Sequence, residues 1–344
     1  LKKALFLILP LSFLFALWWR GFIFFSLPAS PKGSPPSKVL IPEGAPFSEV
    51  ARILKERGVV RSRWWFELYG RLRGITGRVK AGEYLLSASM PPQEIADTLV
   101  KGRVITYKVT IPEGLTAREI ASLLRDKGII EDEEEFLRLA FDREFVRSLG
   151  LEGETVEGFL FPDTYFFPHR CPPRLVIQEM VANFRRVYTP ELSERARELG
   201  LSDFEVVTLA SIIEKETGRS EERPLISAVF HNRLRKGMPL CSDPTVIYGI
   251  EDFDGNLRKE DLQRPSPYNT YLFAGLPPTP ISNPGKDSLL AALYPAPVDY
   301  LYFVSRNDGT HYFSSNFRDH QRAVTIYQRH RAGSRRGQGQ AGRR

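Results

Sequence analysis

The chain has 344 residues, 42% hydrophobic and 26% charged, which is long enough for more than one domain and ordinary for a globular protein. Its net charge is +7, but Arg329, Arg331, Arg335, Arg336, Arg343 and Arg344 account for six of those charges. The remainder carries only about +1, which argues against a nucleic-acid partner. Cys171 and Cys241 show no C-x-x-C or metal-ligand spacing, no cluster resembles a metal site and no Gly-rich loop a phosphate cradle, so neither a metal nor a cofactor is expected; a disulfide between the two cysteines stays open.

At the N-terminus, "ALFLILPLSFLFALWWRGFIFFSL" (4–27) has about the 20 residues a helix needs to cross a bilayer. Arg20 lies toward one end, where it can snorkel, and Trp18 and Trp19 suit the interface. Lys2 and Lys3 precede the segment, while Lys32 and Lys38 follow it. The short N-terminal flank reads as a signal anchor with a cytoplasmic N-terminus. A cleaved signal peptide would need a small-x-small cleavage site, and none stands out. A helix packed on the surface of a soluble core would need a polar face toward solvent, and none exists. "PASPKGSPPS" (28–37) then reads as an extended linker.

An internal echo follows. "IPEGAPFSEVARILKERGVV" starts at Ile41 and "IPEGLTAREIASLLRDKGII" at Ile111. Each predicts a short strand, a turn, an amphipathic helix and a Gly stop. The helix seams are Val50, Ile53 and Leu54, then Ile120, Leu123 and Leu124, with Gly58 and Gly128 as C-terminal caps. Between the copies, "SRWWFELYGRLRG" predicts a second helix, "AGEYLLSAS" a strand and "PPQEIADTLVKG" a helix opened by Pro. The strand–helix–helix–strand order is a small α+β unit, and residues 38–90 resemble a LysM-type glycan-binding module. "DEEEF" (132–136) reads as an acid-rich, solvated helix start.

From Thr155 aromatic residues and prolines become dense, as in "VEGFLFPDTYFFP" and "SPYNTYLFAGLPPTPISNPG". Such stretches predict loops around a cleft, and Tyr165, Tyr268 and Tyr271 are candidates to stack on sugar rings. Most of the phenylalanines are expected in the core. His231 and His311 read as core or loop residues.

"LSDFEVVTLASIIEKETG" predicts a helix opened by a Ser202/Glu205 capping box and ended by Gly218. The period places Val206, Leu209, Ala210 and Ile213 on the buried stripe and Thr208, Ser211 and Lys215 on the far side. Glu214 and Glu216 fall on opposite shoulders. Either could be desolvated enough to hold a proton near neutral pH, as a general acid requires. Periodicity does not choose between them, and Arg219 or Arg223 could pair with either.

The stretches "EGFLFPDTY", "ASIIEKETG", "HNRLRKGMPLCSDPTVIYGI", "YNTYLFAGLPPTPISNPG" and "YLYFVSR" resemble the YceG-like family of endolytic murein transglycosylases. The resemblance implies a single-pass enzyme of the bacterial inner membrane with its catalytic domain on the outer face. Its substrate would be nascent peptidoglycan glycan strands, with cell-wall synthases as candidate partners. Its catalytic glutamate matches Glu216, which leaves Glu214 in support. Its loops point to Asp163, Tyr165, Asn232, Arg233, Asp243, Thr245, Tyr248, Tyr268, Asn269 and Thr270 as glycan contacts.

Two other readings stay open. One is a lysozyme-like hydrolase with Asp163 or Asp243 as the second acid; the other is a non-catalytic glycan-binding scaffold. The expected fold is α+β, with a transmembrane helix (1–27), a linker (28–37), a LysM-like βααβ module (38–110) and a second strand–helix repeat (111–154). A mixed α/β catalytic domain with a lysozyme-like catalytic helix (155–331) and a disordered basic tail (332–344) complete it.

Overall fold

The computed structural model describes residues 27–30 and 33–329. The expected membrane span, apart from Leu27, and the basic tail lie outside the described residues. Among the described residues no helix is long and apolar enough to cross a membrane. The chain is mixed α/β and folds into two compact units, one ending at Lys108 and including Phe166–Arg170, the other formed by Val109–Tyr165 and the chain from Cys171 onward.

In the first unit β1 (Ser37–Ile41), α1 (Phe47–Glu56), α2 (Arg63–Leu72), β2 (Gly82–Leu86) and α3 (Pro92–Lys101) follow in the expected strand–helix–helix–strand–helix order. β1 and β2 pair antiparallel with Val39 opposite Tyr84. Period-2 alternation sends Val39, Ile41, Tyr84 and Leu86 to one face, where they meet Val50, Ala51 and Leu54 of α1 and Phe66 of α2. Arg57 caps α1 and Gly58 follows at φ 70°, a left-handed position that a Cβ would disfavour. The second copy of the echo ends the same way at Gly128, φ 67°.

β3 (Tyr107–Thr110) opens the second copy and leads to α4 (Ala117–Asp126), α5 (Glu133–Ala140) and α6 (Arg143–Ser148). It pairs with β4 (Thr164–Phe167), and the chain passes between the two units within these strands. In the second unit Thr116 and Glu119 form a capping box on α4, and the Asp132 side chain caps α5. Then come α7 (Pro173–Val187), α8 (Pro190–Glu198), α9 (Asp203–Glu216), α10 (Arg223–Arg235), α11 (Asp243–Tyr248) and α12 (Lys286–Leu293). The antiparallel hairpin of β5 (Tyr302–Ser305) and β6 (His311–Ser314) and then α13 (Phe317–Val324) complete it.

α9 is the centre of this unit and packs against α8, α10, α11 and α12. Its capping box forms as expected, Ser202 Oγ accepting from the Glu205 amide and Glu205 Oε2 from the Ser202 amide. Two expectations for it need correction. Every residue from Val206 to Ile213 is buried, so Thr208 and Ser211 do not face solvent. A helix enclosed on all sides has no polar face, and its hydroxyls must find partners inside. Thr208 donates to Phe204 O, while Ser211 donates to Thr208 O and accepts from the Ile281 amide. The helix also ends without a left-handed glycine: Thr217 is the C-cap with extended backbone, φ −145° and ψ 138°, and Gly218 has no positive φ.

Cys171 is buried, Cys241 is exposed, and both are free thiols. His231 Nε2 lies 2.8 Å from Ala292 O, and His311 Nδ1 lies 2.6 Å from Glu222 Oε2, consistent with internal roles.

Candidate active site

Glu216 is the last residue of α9. It follows the enclosed stretch Val206–Ile213 and is itself partly buried. Desolvation pushes its pKa from 4.5 to about 7. The nearby charge of Asp243 pushes the same way, while a hydrogen bond from Ser242 and the Arg233 charge pull it down. The position at the helix C-terminus also disfavours a negative charge. Ser242 Oγ donates to Glu216 Oε1 at 2.5 Å.

Glu214, one half-turn earlier, has different partners. Its Oε1 accepts from Arg223 Nη2 at 3.0 Å and its Oε2 from the Gly285 amide at 2.9 Å. Both Glu214 and Arg223 are buried, and Arg223 also reaches Glu113 at 3.5 Å and Asp287 at 3.4 Å. Glu214 thus holds the start of α12 and one buried guanidinium.

The segment opposite Glu216 is built by several of the residues singled out from sequence. Arg233 on α10 donates to Leu301 O, Pro239 O and Leu240 O, which pins the chain just before Ser242. Thr245 and Thr270 are buried and lie 2.8 Å apart, hydroxyl to hydroxyl. Asp243 Oδ1 accepts from the Tyr271 hydroxyl at 2.6 Å. Burial and the bond to Asp243 both push the Tyr271 phenol upward, so it stays protonated.

The other candidates are engaged elsewhere. Asn232 is buried and gives its amide hydrogens to Val298 O and Tyr300 O. Asn269, also buried, donates to Leu262 O and Arg264 O and accepts from the Tyr271 amide, which shapes the turn that presents Tyr271. Asp163 accepts from Asn183 Nδ2 at 2.8 Å. Tyr165 is 6% exposed and donates to Phe161 O, so its ring belongs to the core and not to an open cleft. Tyr268 hydrogen-bonds Thr279 and packs edge-on against Tyr248.

Sequence reasoning missed Glu157. It is 1% exposed and accepts from the Ala117 amide at the start of α4, from Asn283 Nδ2 and from the Tyr248 hydroxyl. Desolvation raises its pKa from 4.5 to about 7 against those hydrogen bonds. Its signal was present in "TVEGFLF", an acid inside an apolar and aromatic run. Among the described residues no group of three or more His, Cys, Asp or Glu is arranged to hold a metal ion.

A carboxyl at a helix end, its pKa raised to about 7 and one oxygen held by a hydroxyl donor, is a candidate general acid–base group on this mixed α/β scaffold. The model of the YceG-like family matches residues 39–326, and the chain belongs to that family. It is 33% identical over 304 residues to a Bacillus subtilis protein named endolytic murein transglycosylase, the match covering 83% of each chain. It is 30% identical over 315 residues to a Streptococcus pneumoniae protein of the same name, covering 83% of this chain and 57% of that one. The crystal structure of a putative YceG-like protein from Listeria monocytogenes aligns with TM-score 0.58 and 33% identity, covering 84% of this chain and 98% of that one.

Proposed function

We propose that the chain is a peptidoglycan lytic transglycosylase that cuts within glycan strands, with Glu216 as its acid and then its base. The observation that carries the reading is the sheltered Glu216 carboxyl, its pKa raised to about 7 and one oxygen held by Ser242. The names of the relatives from Bacillus subtilis and Streptococcus pneumoniae support the substrate class.

In this reading neutral Glu216 gives its proton to the oxygen that links C1 of N-acetylmuramic acid to N-acetylglucosamine. The C1–O bond breaks and an oxocarbenium-like state forms at C1. Glu216, now a carboxylate, takes the proton from the muramic C6 hydroxyl as that oxygen bonds to C1. The product is a 1,6-anhydromuramic end, and no water is consumed. An intramolecular nucleophile needs no second carboxylate, because its high effective molarity replaces an activated water. Glu214 acts in support by holding Arg223 and the start of α12. The residues available to meet the glycan are those around Glu216, among them Asp243 and its partner Tyr271.

The same proposal includes a membrane anchor at residues 1–27, a linker at 28–37, a LysM-like module at 38–110 and a catalytic domain at 155–331. The catalytic domain would then act outside the cytoplasmic membrane, where synthases extend the strands.

Mass spectrometry of purified glycan strands treated with the full chain tests the reading. Anhydro ends are expected from the wild type, and Glu216→Gln should lose about 10²–10⁴-fold in rate, the usual contribution of one proton-transfer group. Products heavier by one water would indicate hydrolysis, with Asp243 as the neighbouring acid. Full activity of Glu216→Gln would reject the assignment.

A further inference from the structure

Ser242 is 1% exposed and is held by a closed ring of hydrogen bonds. Its amide donates to Thr270 Oγ1 at 3.1 Å, and its carbonyl accepts from Thr245 Oγ1 at 2.7 Å. The two threonine oxygens are 2.8 Å apart. Each hydroxyl has one proton, so the directions are forced. Thr245 gives its proton to Ser242 O, and Thr270 therefore gives its own to Thr245. Neither threonine retains a hydroxyl proton for a glycan.

The residue before the ring, Cys241, is held at φ 52°, a left-handed conformation that costs a non-glycine residue energy. Its amide donates to Thr270 O at 3.0 Å, and Arg233 fixes Leu240 O at 2.6 Å. The backbone on both sides of Ser242 is therefore fixed, and the hydroxyl left over points at Glu216 Oε1, 2.5 Å away.

We infer that Ser242 is a positioning residue: it fixes the rotation of the Glu216 carboxyl so that Oε2, and not Oε1, exchanges the proton with the substrate. The inference rests on the reading of Glu216 as the acid–base group. A carboxyl free to rotate presents its proton in the wrong direction part of the time, and small errors of aim are costly in proton transfer. The charged and titratable groups around Glu216 are Asp243, which raises its pKa, and Arg233, which lowers it. Tyr271 is also close, its hydroxyl engaged by Asp243, and Cys241 lies beside Arg233. Ser242 adds a donor that favours the carboxylate.

The test uses the full chain on purified glycan strands, with kcat and KM measured across pH for wild type, Ser242→Ala, Ser242→Thr and Glu216→Gln. Ser242→Ala is expected to lower kcat by about 10- to 100-fold with KM nearly unchanged. Its alkaline limb should move to higher pH, because the donor that favoured the carboxylate is gone. Ser242→Thr restores the hydroxyl and is expected to recover both. A Ser242→Ala enzyme with wild-type kcat and limb overturns the inference, as does a slower one whose limb has not moved. Full activity in Glu216→Gln rejects the underlying reading instead. If Glu216→Gln is inactive while Ser242→Ala matches wild type, only the positioning role is lost.

Discussion

The Tyr248 hydroxyl donates to Glu157 Oε2 at 3.1 Å, joining residues 91 positions apart. Tyr248 ends α11, and Ser242 precedes its first residue. The same short helix is therefore tied to a buried carboxyl at one end and to the Glu216 carboxyl at the other. Tyr248→Phe removes a donor from a buried acceptor and is expected to destabilise the fold by about 1–3 kcal/mol. Because that bond favours the ionised form of Glu157, the loss should be larger near about pH 8 than near about pH 5. Urea unfolding at the two pH values checks it; an equal loss at both would deny the bond to the carboxylate.

Glu157 also gives stability a pH dependence. Its pKa rises from 4.5 to about 7 on folding, so the folded state holds a proton that the unfolded state releases. Its stabilising contribution is full below about 4.5 and is lost as pH rises through about 7. The change should be about 3 kcal/mol for a fully buried carboxyl. Glu157→Gln should flatten the curve of unfolding free energy against pH over that window, leaving the part due to Glu216. A curve identical to wild type would show that Glu157 titrates normally.

Activity should follow the protonation of Glu216 in the opposite sense from an enzyme whose base must be free. The acid step needs the neutral form, so kcat/KM should fall as pH rises above about 7. A profile flat to about pH 9 would place the essential acid elsewhere.

Arg223 and Glu214 form a buried ion pair, and removing Arg223 leaves Glu214 without its counter-charge. Arg223→Met is expected to cost about 3–5 kcal/mol. Adding Glu214→Gln should recover part of that loss, because the stranded charge is gone. Additive losses in the double variant, measured by urea unfolding, would show that the pair is not coupled.

The left-handed backbone at Cys241 gives two opposed outcomes. Cys241→Gly relieves the positive φ but frees the unfolded chain, so stability should stay within about 1 kcal/mol of wild type and activity should persist. Cys241→Val places a β-branched side chain where φ is 52°. It should swing Ser242 away from Glu216 and reduce kcat. Equal activity in the two variants would show that the conformation of this residue does not aim Ser242.

Local chemistry made much of the fold readable. The capping box at Ser202 and the glycine caps at Gly58 and Gly128 depend on residues within a few positions of one another. The site was less readable. Period placed Glu214 and Glu216 on two shoulders of one helix, but their different environments come from Arg223 and Gly285 on one side and Ser242 on the other. Asn232 and Tyr165 looked available as polar members of loops, and tertiary contacts turned both inward.

The sequence by itself determined the start of the Ser202 helix, the helices and glycine stops of the internal echo, that one helix carries two acids at its end, and which family the motifs resemble, because these depend on short-range spacing. Only the tertiary structure decided that Thr208 and Ser211 are enclosed, that Glu157 is a second buried acid, and that a ring of threonine hydroxyls aims Ser242 at Glu216. The reason is physical: desolvation and hydrogen-bond direction are properties of neighbours brought together from distant parts of the chain, and a helical period specifies an angle without saying what stands there.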